Sequence, residues 1–427
     1  MKNHRDSALT LFESEQLRNN FLPLSLTRPT FDFLLGTRSI FHRIEKACGR
    51  KVSHVIVPKY LEAITKQNHP DVKVNEKFDG ETIVVNSLVS PRVDPTKHIE
   101  DMESESIVVD QEDGIPVLGL FSRLDPKQFG VQSKRNRTNF RPVDGGALIK
   151  YPWEFFEQNS FAIEQDFKQE AASNAEGPRQ RGPNCEILGQ KIILGDSSEV
   201  SGTVTIDARK GPVIVEGGVQ IQSFSLIQGP AFIGRNTVVK SARIREGTSI
   251  GENCRVAGEI EKTVIFEYSN KSHEGFLGHS IVGSWVNLGA LTTNSDLKNT
   301  YGEIKVETGG RTVRTGTNKV GVIIGDMAKT SIGTMIFSGK KIGVSSHVFG
   351  TIAEDVPSFT MYGKSFGSRS SEIFLDSAIE TQKRMKERRG LVMSSSEADL
   401  MKYIFKVTAK ERRKAHVTKR RFELGIQ

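Results

Sequence analysis

The chain has 427 residues, 37% hydrophobic and 26% charged, a balance that suits a soluble globular protein with a sizeable core and excludes a membrane-embedded one. Residues 381–421 hold 14 Lys/Arg against 4 Asp/Glu, a net of +10, while the whole chain is +8; basicity belongs to a tail, and the body is close to neutral. No G-X-Y period, no run of about 18 apolar residues and no apolar signal core after Met1 appears, and Cys48, Cys185 and Cys254 are too few and too scattered for a disulfide framework, so a reducing cytoplasm is expected.

The front third reads as an α/β layer. Apolar runs at 52–58 and 81–87 predict buried strands, and stretches near 36–48 and 58–67 predict helices between them. The Gln/Arg/Asn/Lys-rich stretch 127–141 predicts a surface loop, and YPWEFFEQN (151–159) an aromatic packing segment. Residues 1–164 are expected to form this domain, with the polar, Gly- and Pro-containing stretch 165–184 as its linker.

From residue 194 an aliphatic side chain recurs every sixth position: Leu194, Val200, Ile206, then Val215, Ile221, Ile227, Ile233, Val239, then Ile244, Ile250, Val256. The ladder returns at Val282 and Leu288, and again at Ile324, Thr330, Ile336, Ile342 and Val348. Neither the helical period of 3.6 nor strand alternation sustains a six. Such a period predicts a parallel β-helix over 185–368, each hexapeptide giving a short strand whose aliphatic residue stacks inward on the next coil. Glycine follows seven rungs (Gly195, Gly234, Gly251, Gly283, Gly289, Gly325, Gly343), where small residues are expected to permit unusual corner conformations. Residues 257–281 break step, and 290–322 leave the repeat as a long polar stretch, expected to be a binding flap. Residues 369–427 predict a helical tail, with stretches at 371–389 and 396–415; Leu400, Ile404 and Phe405 share one side of the second, and its remainder is expected to be solvated.

Three segments, SARIREGTSIG (241–251), NKSHEGFLGHSIVGSWVNLGALTTN (270–294) and KVGVIIGDMAKTSIGTMIFSGKKIG (319–343), resemble one family. It is the bifunctional N-acetylglucosamine-1-phosphate uridyltransferase/glucosamine-1-phosphate N-acetyltransferases, in their archaeal and alternate bacterial branches. LPLSLTRPTFDFLLG (22–36) and LIKYPWEFFEQN (148–159) resemble the front domain of the alternate branch. The resemblance implies a Rossmann-like nucleotidyltransferase domain followed by a left-handed β-helix that forms a homotrimer, with acetyl-CoA and a sugar phosphate as substrates in nucleotide-sugar synthesis.

By this resemblance His273, in K-S-H-E-G-F-L-G, is the general base that takes a proton from the sugar amine, a role suited to an imidazole. Arg245 in ARIREG would grip the sugar phosphate through its guanidinium fork. Asn287 and Asn294 would contact the sugar, with Lys262 beside them, one step after Glu261, which stands where many members carry lysine. The backbone at Ala290 would face the thioester oxygen, and Lys319 would lie on the acetyl-CoA side.

The front domain departs from the family. FESEQLRNN precedes LPLSLTRP without a glycine where a G-G-x-G-T-R-L phosphate loop is expected, and Asn86 and Ser87 stand where an aspartate would bind Mg²⁺. Thr27 and Arg28 are the residues left for nucleotide contact, and Mg²⁺ is implied only if this domain is active. Two other readings compete. A zinc hydratase would need His273, His279 and His347 together, yet the first two are one hexapeptide apart and fall on adjacent faces of a prism. A non-catalytic nucleotidyltransferase-like regulator or scaffold would use the basic tail, residues 381–421 being the stretch with the charge for a nucleic acid.

Overall fold

The computed structural model describes residues 7–100, 102–127, 129, 140–143, 146–170 and 180–424. Most of the expected surface loop at 127–141 and part of the linker lie outside the described residues. Contacts divide the chain into two compact units, one of residues 1–21, 27–33 and 38–151, the other of 22–26, 34–37 and 152–427.

The first unit is built on a seven-stranded sheet ordered Lys73–Val74, Val52–Ile56, Ala8–Phe12, Phe78–Asn86, Pro116–Leu124, Ser106–Asp110, Phe140–Val143. Its first four strands run parallel, and Pro116–Leu124 pairs antiparallel with both of its neighbours. The strand expected at 52–58 stops at Ile56, since Pro58 has no N–H for a ladder. The helix Ile40–Cys48 starts where Ser39 Oγ accepts the His42 N–H and ends at Gly49, whose φ of +64° reverses the chain. Val84, Ile107, Phe121 and Leu124 are packed in the core of this unit.

In the second unit every predicted rung is buried, and all but Thr330 belong to one continuous apolar core. The short strands stack parallel and in register from coil to coil, Ile206 on Ile227 on Ile244 on Ile260 along one face. Residues 257–281 do not leave the coil: Ile260, Ile265, Lys271 and Leu277 continue the interior, with Lys271 paired in register with Val256. A four-residue step from Val256 to Ile260, two five-residue steps and a lysine at an inward position hide this from the sequence.

The seven glycines have another reason than the one expected, for none has a positive φ; that conformation falls instead on corner residues such as Asn236 and Asn253. The glycines sit where coils approach closely. A Cβ on Gly251 would lie 2.7 Å from Glu267 N, and one on Gly343 would lie 2.2 Å from Ser358 N.

The segment 290–322 is also more regular than expected. Thr293–Asn294 pairs with Met335–Ile336, and Lys305–Thr308 and Arg311–Arg314 form an antiparallel hairpin. YPWEFFEQN opens a 19-residue helix, Pro152–Glu170, so residues 165–170 are helical rather than linker. Its Asn159 is fully buried, accepting from Gly36 N (2.7 Å) and donating to Gly247 O (3.0 Å) and Ser249 Oγ (2.9 Å).

The tail forms helices Leu375–Glu387, Ser395–Val407 and Ala409–Lys414, the second opened by a capping box between Ser394 and Glu397. Its basic face is not wholly solvated. Arg412 is 2% exposed, donating to Glu372 Oε2 (2.7 Å) and Phe405 O (2.7 Å), with its guanidinium 4.2 Å from the Phe405 ring centre. A cation is tolerated there because a carboxylate and carbonyls take up its donors. Cys48, Cys185 and Cys254 are all free thiols, and among the described residues no helix is long and apolar enough to cross a membrane.

Candidate active site

His273 stands exposed in the turn between the strands Asn270–Lys271 and Phe276–Gly278. Beneath it, the Lys271 ammonium donates to Ala257 O and to His273 O itself, both at 3.0 Å, so the turn is tied to the coil interior. Burial pushes the Lys271 amine down to about 8.

A cavity of about 660 Å³ opens beside this turn, and His273, Asn287 and Ala290 all line it. One of its walls is a ladder of outward-facing polar residues. Arg255 pairs in register with Asn270, Asn270 with Asn287, and Asn287 with Lys329. Each directly precedes an inward residue, Val256, Lys271, Leu288 and Thr330, and the register between coils, at spacings of 15, 17 and 42 residues, places all four on one face. Sequence reasoning singled out only Asn287 of the four, because the irregular steps at 257–281 hide which outward positions align.

A second wall is aromatic: the Tyr268 and Trp285 rings stack with centres 4.5 Å apart and planes 3° from parallel. The last comes from the tail, which supplies Met385, Arg388 and Arg389. Burial lowers Lys329 to about 8; burial, and then the Lys329 charge, lower its neighbour His347 to about 4.

The other expected site residues lie away from this cavity within the chain. Arg245 is paired with Glu259 (2.7 Å), which also meets Arg243 (3.3 Å). Lys262 occupies a coil corner against Gly247. Asn294 is buried and its amide mimics a strand, accepting from Gly278 N (2.9 Å) and donating to Gly278 O (3.1 Å). Lys319 lies near Asp296, whose Oδ2 meets His279 Nδ1 at 2.7 Å. Burial opposes the Asp296 charge, yet the His279 hydrogen bond, with the charges of His279 and Lys319, holds the carboxyl below its ordinary range. Of the stretch 290–322, expected to be a binding flap, Ala290 lines this cavity and the hairpin Lys305–Arg314 does not; Glu307–Gly310 line another cavity beside Lys341 and Glu411.

In the first unit, ligands of an open α/β sheet bind at the carboxyl ends of strands, where the strand order reverses. In this sheet that crevice lies beyond Ala8–Phe12 and Phe78–Asn86, and internal contacts occupy its polar groups. Buried Glu13 accepts from Thr30 N (2.7 Å) and Thr30 Oγ1 (3.0 Å); Thr30 Oγ1 also meets Ser87 Oγ (2.6 Å). Burial pushes Glu13 up to about 7. Thr27 is buried and Arg28 half-buried in the segment leading to Thr30.

The carboxylates of this unit do not fit Mg²⁺. Asp110, Glu112 and Asp113 converge on the Lys150 ammonium at 2.9, 2.8 and 3.0 Å, so a protein cation already occupies the point where they meet. Burial works against that ammonium, but the three carboxylates outweigh it and hold its pKa above the ordinary lysine value. Among the described residues, no group of three or more His, Cys, Asp or Glu could hold a metal ion.

Residues 9–173 match the family model described as Sugar nucleotidyl transferase. A "Bifunctional sugar-1-phosphate nucleotidylyltransferase/acetyltransferase" of Sulfurisphaera tokodaii is 32% identical over 202 residues, 47% of this chain and 44% of that protein. A "Bifunctional protein GlmU" of Shouchella clausii is 32% identical over 181 residues, 41% of this chain and 35% of that protein. A solved UDP-N-acetylglucosamine acyltransferase of Francisella novicida is 17% identical, covering 56% of this chain and 85% of that chain at a TM-score of 0.28. The chain spans less than half the length of these two curated relatives, and its resemblance to bifunctional sugar-phosphate nucleotidyl- and acetyltransferases holds at modest identity.

Proposed function

We propose that the repeat half transfers acetyl from acetyl-CoA to the amine of a hexosamine-1-phosphate. The observation that carries this reading is the gathering of His273, Asn287 and Ala290 around one cavity of about 660 Å³. His273, exposed to it, takes the proton as the nitrogen attacks the thioester carbon. The N–C bond forms, the C–S bond breaks, and the proton returns to the departing thiolate. The oxyanion that forms meanwhile needs a donor, and the backbone at Ala290 fills that role. Asn287 holds the sugar.

In this reading Arg245, Lys262 and Lys319 contribute only from a second copy of the chain, so a homotrimer is part of the proposal, while Asn294, buried and spent on Gly278, keeps a structural role. Light scattering that gave a monomer would remove those three from the site.

The test supplies the purified chain with acetyl-CoA and glucosamine-1-phosphate or galactosamine-1-phosphate and follows free thiol. Thiol release is expected, and His273→Ala should lower it on the order of 10²- to 10⁴-fold. Full activity in that variant, or no release with any hexosamine phosphate, would sink the assignment.

For the front domain a second reading is favoured, that of a non-catalytic nucleotidyltransferase-like regulator or scaffold. The Glu13 carboxylate takes up the Thr30 donors in the crevice, and Lys150 occupies the meeting point of Asp110, Glu112 and Asp113. Thr27 and Arg28 then serve at most to hold a nucleotide without reaction.

A further inference from the structure

We propose that the C-terminal tail completes the His273 cavity as a phosphoryl-binding site, with Arg388 and Arg389 from the tail and Arg255 from the β-helix holding the phosphate oxygens of a substrate. The inference deepens the acetyl-transfer reading and rests on it for the identity of the cavity's ligands.

Four cations, Arg255, Lys329, Arg388 and Arg389, line this cavity, and no carboxylate does so among the described residues. Such one-signed lining has a cost unless an anion enters, because like charges around a concave, partly desolvated space repel one another. Two other cations of the tail near this point are already matched. Lys386 is bound to Glu397 (2.7 Å), and Arg384 to Glu380 (3.1 Å). Arg388, Arg389 and Arg255 make no ion pair among the described residues. Arg389 gives one N–H to Asn270 Oδ1 (2.9 Å), which aims the guanidinium toward the ladder and leaves its remaining donors for a ligand.

The helix end itself does not favour an anion, since carbonyls carry partial negative charge there. In this case the last carbonyls are taken up by the following turn. Arg388 N donates to Arg384 O, Arg389 N and Leu391 N to Lys386 O, and Gly390 N to Glu387 O. What remains to face the cavity is guanidinium. Planar forks of this kind bind phosphoryl oxygens bidentately, which a flexible ammonium does not. The stacked Tyr268–Trp285 pair, with the Lys386 ammonium 5.9 Å from the Trp285 ring centre, gives the tail a fixed wall to rest on.

Both substrates carry phosphoryl groups, the sugar as a monoester and acetyl-CoA as a diphosphate together with a 3′-phosphate on its adenosine. Calorimetric titration of the full chain with glucosamine-1-phosphate and, separately, with CoA distinguishes the two sources. In Arg388→Gln/Arg389→Gln the Kd for one of these ligands should rise about 10-fold or more, with the thermal midpoint unchanged and the other ligand little affected. Arg255→Gln should weaken the same ligand. Wild-type binding of that ligand should also fall as salt rises, a dependence the double variant should largely lose.

Unchanged Kd values for both ligands in both variants would overturn the proposal, as would wild-type binding of neither ligand. Thiol release by the wild type separates the two readings. If the wild type releases no thiol while arginine-dependent binding persists in it and in His273→Ala, acetyl transfer fails and the phosphoryl site stands. If thiol release is present and indifferent to Arg255, Arg388 and Arg389, the phosphoryl site fails and acetyl transfer stands.

Discussion

Lys271 occupies an inward position of the β-helix, in register with Val256, where every other coil offers an apolar or weakly polar side chain. A buried ammonium is costly, and its two carbonyl partners do not fully replace water. The residue is only 3% exposed, and burial brings its pKa from 10.5 to about 8. The sign follows from which state binds more protons. Between about pH 8 and 10.5 the unfolded chain keeps its proton on this lysine while the folded chain releases it, so stability rises with pH across that window. Below about pH 8 both states are protonated, and the folded state bears the full penalty. The difference amounts to at most ~3 kcal/mol for this residue. Lys271→Met should therefore lose the alkaline gain. Thermal midpoints of the two proteins at pH 7 and pH 10 give the comparison, and equal pH increments in both would refute a depressed Lys271. What Lys271 supplies and a methionine cannot is the hydrogen bond to His273 O.

At the scale of elements, much was legible in the residues and the remainder was hidden for identifiable reasons. The aliphatic rungs announced the coil because an inward position with no water must be apolar, and each named rung is indeed buried. The same rule concealed the coil at 257–281, where Lys271 breaks the apolar ladder. Glycine placement was visible, but its cause, close approach of successive coils, depends on neighbours 15 or more residues away. His273, Asn287 and Ala290 could be named from their motifs, whereas Arg388 and Arg389 could not, since nothing local says which face a tail helix presents to a cavity. The helix Pro152–Glu170 makes a related point. Its aromatic start was evident, but its seating on the coil depends on Asn159, whose amide bridges Gly36, Gly247 and Ser249. Asn159→Ala leaves those buried backbone and hydroxyl groups without their partner, so chemical denaturation should show a loss of about 2–4 kcal/mol. A change within about 0.5 kcal/mol, the scatter of ordinary surface substitutions, would mean that the apolar contacts of Ile163 with Ile214 and Phe232 seat the helix alone.

Across the whole molecule, the two units carry unequal chemical equipment. The repeat unit has an exposed imidazole beside a cationic cavity, and the front unit has a strand-end crevice whose donors its own side chains have claimed. Phosphoryl transfer from a nucleoside triphosphate needs donors that cradle the phosphates and, usually, a divalent cation that offsets their charge. A buried carboxylate at the Thr30 donors works against both, because it competes for the N–H and repels the phosphate whenever it is ionised. The prediction is that UTP or dTTP with glucosamine-1-phosphate or N-acetylglucosamine-1-phosphate yields no pyrophosphate above background, under conditions in which acetyl-CoA and the amino sugar yield thiol. Glu13→Gln removes the negative charge and keeps an acceptor for Thr30. With Glu13 raised from 4.5 to about 7, its folded form favours the proton, and the stability this gives is present below about pH 4.5 and lost as pH rises through 7. The variant should therefore be more stable than wild type at pH 8 and little different at pH 4.5. If nucleotide affinity also appears in Glu13→Gln without turnover, the front unit is a nucleotide site closed by its own carboxylate. Pyrophosphate release by the wild type would show instead that a triphosphate displaces Glu13, and the division of labour between the two units would have to be abandoned.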